Sequence, residues 1–372
     1  MDRITVVLVG GGTIAPLHAQ YLLSSASCTL SAIVDPYLPG RQLASQLSIP
    51  HFDSIADLLS SHTLKPDAFI VCVPSSLHVA VSSEIITAAT PKAIIVEKPL
   101  STDSVSGADL LSLAERYSCK ILVGHHRRFH PSLASAKSVL ETGRIGTITA
   151  VSGLWTTKKN DGYFTAAGSE WRCSRSSGGG PIWTNFVHDV DVLHFLTGSR
   201  IVRVWATATV DRRTHENIKQ SDQVEEGAAI MLQFANSIVG TFIVSDNVGS
   251  PYGWESATGD NPLYPPADIP VDSYRVFGTL GTMSIPDGTL WTYDSVEAER
   301  RGLEVGWNIP MKREKVEVDE GIPFQQQTEH LGRVVRGLEE PLCSGEDGLA
   351  AIKVCEAIAK ALEEENTSAV DI

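Results

Sequence analysis

Cysteine is scarce in this chain of 372 residues: there are six, at 28, 72, 119, 173, 343 and 355. None forms a Cys-x-x-Cys pair, and no Cys/His spacing suits zinc, so no metal site is expected. Most sit in apolar runs such as Val71-Cys72-Val73, the pattern of reduced core residues in a cytosolic protein. Long hydrophobic runs are also missing. None approaches the ~20 apolar residues that span a bilayer, so no membrane partner is expected. The first apolar run, Ile4–Val9, leads into a glycine turn rather than a cleavage site, which predicts no secretory leader and a cytoplasmic location. Positive charge is in deficit. Thirty Lys and Arg face 44 Asp and Glu, and the net charge of -14 would repel a phosphate backbone, which argues against nucleic acid as a partner. The chain has no internal repeat and no low-complexity linker.

What is present is globular, with 42% hydrophobic and 20% charged residues and length enough for two domains with separate cores. The first third alternates strand-like and helix-like segments. Strands are predicted at 4–9, 29–34, 68–73, 93–96 and 120–123, with helices at 14–24, 77–88 and 103–117. That alternation implies right-handed crossovers, hence a parallel sheet with helices on both faces. After Gly124 the pattern changes. Segments 201–210, 228–234 and 238–244 read as strands without intervening helices, and Ile230, Leu232 and Phe234 mark one covered face. One helix is predicted near 185–196, and 250–270 is predicted as a long ordered loop. The tail returns to helix. Phe324, Leu331, Val334, Val335 and Leu338 share a face, as do Leu349, Ile352, Ile358 and Leu362. The expected fold is therefore α/β: a doubly wound parallel sheet in residues 1–124, then an α+β domain in 125–372 with an open, mainly antiparallel sheet, its C-terminal helices packing back on the first domain. A sheet with one bare face favours a homo-oligomer, a dimer or tetramer.

Strand 4–9 runs into Gly10-Gly11-Gly12-Thr13-Ile14-Ala15, which fits G-x-G-x-x-G/A. Gly10 permits a tight turn, Gly12 lets a pyrophosphate approach the backbone, and Ala15 allows close helix–strand packing. The helix N-terminus, with Thr13 and Ile14, offers amide N–H groups to phosphate. Asp35 ends the second strand, 20 residues beyond Ala15, where a carboxylate accepts hydrogen bonds from an adenosine ribose. Asp35 would repel a 2′-phosphate, so NAD is expected over NADP, with Arg41 the residue able to reverse that preference.

Two further segments carry chemistry. Glu97-Lys98-Pro99 follows a strand end, where open α/β sheets bind ligands, and a lysine there can hold a substrate oxygen and exchange a proton with it. Gly178-Gly179-Gly180-Pro181 precedes Asn185, His188 and Asp191. On a regular helix, Asn185 and His188 would share a face, and His188 suits general acid–base work. Trp171 and Arg172 are candidates for a stacking face and a carboxylate or hydroxyl clamp. Tyr163, His126 and Arg127 are further candidates, and the segment Pro251-Tyr252-Gly253-Trp254-Glu255 is a candidate cover for the site.

In order and spacing, these motifs resemble the glucose–fructose oxidoreductase/inositol dehydrogenase (Gfo/Idh/MocA) family over nearly the whole chain, and within it the fungal quinate-utilisation type. Val73-Pro74-Ser75-Ser76-Leu77-His78 looks like the family's cofactor-contacting turn, placing Pro74 and His78, with Glu97, Lys98 and Arg127, among the cofactor-binding residues. Gly124-His125-His126-Arg127-Arg128-Phe129 looks like its link into the second domain. The resemblance implies an NAD(P)-dependent dehydrogenase acting on a secondary alcohol or ketone of a sugar, cyclitol or related polyol. Lys98 matches the family's catalytic lysine and His188 its catalytic histidine, with Asn185 orienting the substrate hydroxyl. The chain departs from the pattern once: Thr184 stands where many members carry an aspartate. Two alternatives within the family are a non-catalytic nicotinamide sensor or repressor and an NAD-dependent glycosidase. Lys98 and His188 count against the first, and the 185–191 pattern against the second.

Overall fold

The computed structural model describes residues 3–61, 65–166, 168–213, 218–261, 264–363 and 369–372. Its contacts divide the chain into two units, Met1–His130 with Gly321–Lys353, and Pro131–Glu320 with Val354–Ile372.

The first unit is built on six parallel strands, β1 (Ile4–Val9), β2 (Cys28–Val34), β3 (His51–Phe52), β4 (Ala68–Val71), β5 (Ala93–Val96) and β6 (Lys120–Val123). They lie in the order β3-β2-β1-β4-β5-β6, the doubly wound arrangement whose order reverses between β1 and β4. The strands are continuous runs of Val, Ile, Leu and Phe because both faces are covered: Val6, Val7 and Leu8 are fully buried, as are all four residues of β4. Three short elements escape the sequence pattern: the Leu38–Leu47 helix, β3 and the Ile55–Ser60 helix. The first opens on Leu38-Pro39-Gly40, a turn-like start, with an apolar face of only Leu43, Ala44 and Leu47, and β3 is two residues long. The Pro323–Val335 helix belongs to this unit and packs on the first helix, Ala15–Ser24. Phe324, Leu331, Val334 and Val335 are buried there, but Leu338, assigned to the same face, lies beyond the helix end and is 60% exposed.

The second unit contains a nine-stranded sheet. Its strands are β7 (Ile148–Thr156), β8 (Ile201–Ala208), β9 (Gly227–Phe234), β10 (Val239–Ser245), β11 (Tyr274–Gly278), β12 (Gly281–Ile285), β13 (Thr289–Tyr293), β14 (Met311–Lys315) and β15 (Val370–Asp371). The order is β14-β13-β12-β11-β7-β10-β9-β8-β15, antiparallel throughout except for β7 beside β10. Ile230, Leu232 and Phe234 are buried on one face with Phe242, Val244 and Val276. On the other face Met231, Val239, Ile243 and Trp291 are exposed. The Val187–Thr197 helix lies on the covered face, where Phe186 meets Phe242 edge to face and the Tyr274 hydroxyl donates to Asp189.

The helix expected near 185–196 is Val187–Thr197, but Asn185 lies in the π-helical turn that precedes it, Ile182–Phe186, so Asn185 and His188 do not stand on one regular helix. Gly180, ahead of that turn, holds φ at +85°. The 250–270 segment is not loop throughout, because Trp254–Thr258 is a helix; positions 262 and 263 lie outside the described residues.

Candidate active site

In the first unit, the carboxyl ends of the parallel strands place the glycine turn after β1, Asp35 after β2, Val73-Pro74 after β4 and Glu97-Lys98 after β5 along one sheet edge. Gly10 has φ +94°, and a Cβ on it would meet the Cys72 carbonyl carbon at 2.8 Å; on Gly11 it would meet Gly40 Cα at 2.4 Å. On Gly12 it would meet nothing nearer than 3.9 Å. The first two glycines are therefore demanded by the turn itself, whereas Gly12 leaves space at the uncapped N-terminus of the Ala15–Ser24 helix. Thr13 beside it is exposed and Ile14 half-buried. This is a cradle shaped for phosphate, and it fits a dinucleotide. Asp35 has two roles. Its Oδ2 accepts the Gly11 N–H at 2.7 Å and its Oδ1 the Tyr37 N–H at 2.9 Å, bracing the turn while keeping lone pairs for a ribose. Arg41 is paired with Asp53 at 2.8 Å.

Lys98 is held through its neighbours. Glu97 is buried; its Oε1 meets His18 Nε2 at 2.7 Å and its Oε2 accepts the Lys98 N–H at 3.2 Å. Burial pushes the Glu97 carboxyl up, but the His18 hydrogen bond and charge, with His126 and Lys98, outweigh it and leave the pKa below its usual value. Glu97 is thus an ionised anchor beneath the lysine. His78, expected at the cofactor, is also an anchor by its side chain. Its ring reaches Pro99 O at 2.6 Å and Val73 O at 3.0 Å, tying the β4 turn to the lysine loop, and burial holds its pKa down against the two carbonyl contacts, which favour the proton. Pro74 is exposed at that turn. Arg127 is buried in the His126–Phe129 turn, and the His126 ring stacks on Phe324 at 4.6 Å.

In the second unit, Tyr163, Arg172 and Asn185 come together around a residue that sequence reasoning missed, Lys159. Its Nζ donates to Asn185 Oδ1 at 2.9 Å and lies 4.5 Å from the Tyr163 ring centroid and 5.4 Å from that of Trp155. Arg172 lies 4.0 Å over Tyr163 and donates from Nη1 to the Tyr163 carbonyl at 2.6 Å. Burial pushes the Tyr163 phenol up, against the pull of Arg172. With Asn185 Oδ1 taken by Lys159, its Nδ2 is the group oriented to donate. Thr184 has one hydroxyl proton, and its Oγ1 is 2.8 Å from both Gly180 O and Asn185 Oδ1. Trp171 is exposed, 5.5 Å from the Arg172 guanidinium. His188 is buried in the first turn of the Val187–Thr197 helix, and Asp191 further along the same helix.

The proposed cover is corrected. Trp254 is buried, donates to Asp260 and packs on Tyr274, while Glu255 accepts from Trp155 Nε1 at 2.8 Å. Trp254 thus belongs to the core, while Pro251 and Tyr252 before it are exposed. Glu225 is another residue the sequence did not reveal. It accepts the Ile182 N–H at 3.3 Å, and burial pushes its carboxyl up to about 7. His18 was visible in principle, as a polar residue on the inner face set by Ala15, Ala19 and Leu22. Lys159 was not: Lys158-Lys159 reads as a solvated loop.

Residues 4–125 match the family model described as an oxidoreductase family with an NAD-binding Rossmann fold, and 133–284 match that of the GFO/IDH/MocA C-terminal domain. Among characterised relatives, the rhizopine catabolism protein MocA of Rhizobium meliloti is 26% identical over 53% of this chain and 58% of its own. The inositol 2-dehydrogenase of Rhizobium meliloti (strain 1021) is 28% identical over 55% of this chain, so the match again spans little more than half, 58%, of that relative. The crystal structure of the WlbA dehydrogenase from Bordetella pertussis, in complex with NADH and UDP-GlcNAcA, superposes with a TM-score of 0.74 at 20% identity, covering 100% of this chain and 99% of that one.

Proposed function

We infer the function from one premise: the chain belongs to the GFO/IDH/MocA oxidoreductase family, and its first unit is an NAD-binding Rossmann domain. On our reading it is a dehydrogenase acting on a secondary alcohol or ketone of a sugar, cyclitol or related polyol. The nicotinamide, when bound, accepts or returns the hydride. The family pattern supports Lys98, in the first unit, as a group that holds a substrate oxygen and exchanges its proton, and His188, in the second, as an acid–base candidate. Asn185 donates from Nδ2 to a substrate oxygen. Glu97 and His78 hold Lys98 in place, and Trp171, Arg172, Tyr163 and His126 contribute to substrate binding.

The observation that carries this reading is the shared sheet edge. A braced phosphate cradle at Gly10–Ala15 and an anchored lysine at 98 stand two strand spacings apart, roughly 10 Å, within reach of one dinucleotide and its substrate. Asp35, with Arg41 committed to Asp53, supports NAD over NADP. The name of the inositol 2-dehydrogenase relative supports a cyclitol or sugar class. The Lys98–His188 pair weighs against a sensor or repressor. The bare face of the nine-stranded sheet supports a homo-oligomer, which sedimentation would test.

The deciding experiment follows NADH by its near-ultraviolet absorbance with NAD and NADP in parallel, against polyols, inositols, aldoses and hydroxy acids. NADH formation with one class establishes the activity. No turnover despite tight NAD binding would overturn it in favour of a sensor or a glycosidase.

A further inference from the structure

Arg172 is unusual among the half-buried cations of the second unit. No carboxylate lies within ion-pair distance of it among the described residues, and its Nε is buried without a hydrogen-bond partner. Its Nη1 is committed to the Tyr163 carbonyl, which leaves the Nε–Nη2 edge. That edge is the side of a guanidinium that meets a carboxylate with two parallel hydrogen bonds. Lys159, a second cation on the same tyrosine ring, is tied through Asn185 to the segment that carries His188. Four acids of this unit hold other partners. Asp246 and Glu226 face Arg213, Asp189 accepts from Tyr274, and Asp222 accepts from Ser174 and Ser176. Asp246 also interacts with Lys159 and Tyr163, and burial pushes its carboxyl up against the pull of Arg213.

We propose that Lys159 and Arg172, with Tyr163 between them, form an anion subsite that takes a carboxylate of the substrate. The substrate is then a hydroxy acid, a polyol or cyclitol bearing a carboxyl group. Arg172 supplies the planar fork, Lys159 the point charge, and the Tyr163 and Trp155 rings a partly desolvated wall that strengthens both. Asn185, oriented by Lys159, donates to a hydroxyl of the same molecule. This inference rests on the dehydrogenase reading for its chemistry but not for its binding.

The test titrates matched pairs into the NAD-loaded protein by calorimetry: quinate against myo-inositol and D-glucuronate against D-glucose, with D-glucose 6-phosphate as a third arm. NADH is followed in the same samples. The acid of a pair is expected to bind at least about 10-fold tighter than its neutral partner. Lys159→Met and Arg172→Met should each lower the ratio of acid to neutral affinity about 10- to 100-fold, whatever smaller loss the neutral partner also shows. Arg172→Lys should fall between, because it keeps the charge without the fork, and it serves with Lys159→Met if Arg172→Met does not fold. Equal binding of acid and neutral partner, or acid affinity unchanged in these variants, overturns the subsite. Tighter binding of the phosphate ester than of either acid overturns the carboxylate. NADH formed from neutral polyols without acid preference removes the subsite and leaves the dehydrogenase. Acid binding that the variants abolish, with no NADH from any compound, does the reverse.

Discussion

The two units solve the same problem, placing polar groups at a site, by different physical means. In the first unit the backbone does it. Parallel strands end along one edge, Gly10 and Gly11 admit close backbone contacts, and Asp35 and Glu97 brace loop amides with carboxylates. In the second unit long side chains do it. Lys159, Arg172 and Asn185 meet around the Tyr163 ring from a strand end, a 3-10 turn and a π-helical turn. Backbone sites follow from strand order and glycine positions, so they tolerate few substitutions and are recognisable from short motifs. Side-chain sites follow from packing, so they can change specificity while the fold stays fixed.

The largest effect that would sharpen this contrast is expected at Lys98. Lys98→Ala should lower kcat by ~10²–10⁴ with NAD affinity nearly unchanged, read by steady-state kinetics and by calorimetry. Full kcat in that variant would remove Lys98 from the chemistry. Next come the glycines, which separate two roles within one turn. Gly10→Ala places a Cβ against the Cys72 carbonyl at positive φ and should cost about 2–4 kcal/mol of stability by chemical denaturation. Gly12→Ala finds open space in the protein, so it should fold with near-normal stability yet bind NAD at least about 10-fold more weakly. Equal stability losses in the two would break the distinction between turn and cradle.

A smaller effect is expected at Asp35. Asp35→Asn removes the charge and should raise NADP use relative to NAD by roughly 10-fold, at a modest loss of stability because one of its two loop amides loses its acceptor. An unchanged ratio would assign the cofactor preference elsewhere. The smallest concerns Glu225 in the second unit. Its carboxyl titrates at about 7 when folded, against 4.5 as its ordinary value, so the folded state binds the extra proton between those limits. Stability should therefore fall as pH rises through that window, by about 1–3 kcal/mol, and Glu225→Gln should flatten the dependence in thermal melts at pH 5 and pH 8. An equal slope in the variant would show that Glu225 is not the group responsible. Because Glu225 accepts from Ile182 at the head of the π-helical turn, the same variant reports on how firmly that turn is held.

The strands of the first unit, its glycine turn, Asp35 and Lys98 were legible as local patterns: unbroken apolar runs, a fixed glycine spacing, and an acidic and a basic residue at strand ends. The helix at Leu38–Leu47 was not, because Pro39-Gly40 at its start read as a turn and its apolar face is only Leu43, Ala44 and Leu47. His78 was found by position, but only the packed loop shows both ring nitrogens facing backbone carbonyls. Trp254 was misjudged for a similar reason, since a Gly/Pro-rich stretch reads as surface and gives no sign that its tryptophan is core.

The sequence by itself determined the doubly wound first unit, the dinucleotide turn and the family, because these depend on residue order and backbone conformation over a few positions. Tertiary structure alone decided that Glu97 is an ionised anchor on His18, 79 positions away, that Lys159 holds Asn185, 26 away, and that Arg172 keeps a fork edge without a carboxylate. The physical reason is that burial, hydrogen-bond partners and local charge are set by side chains distant in sequence, and these determine what a polar group can do.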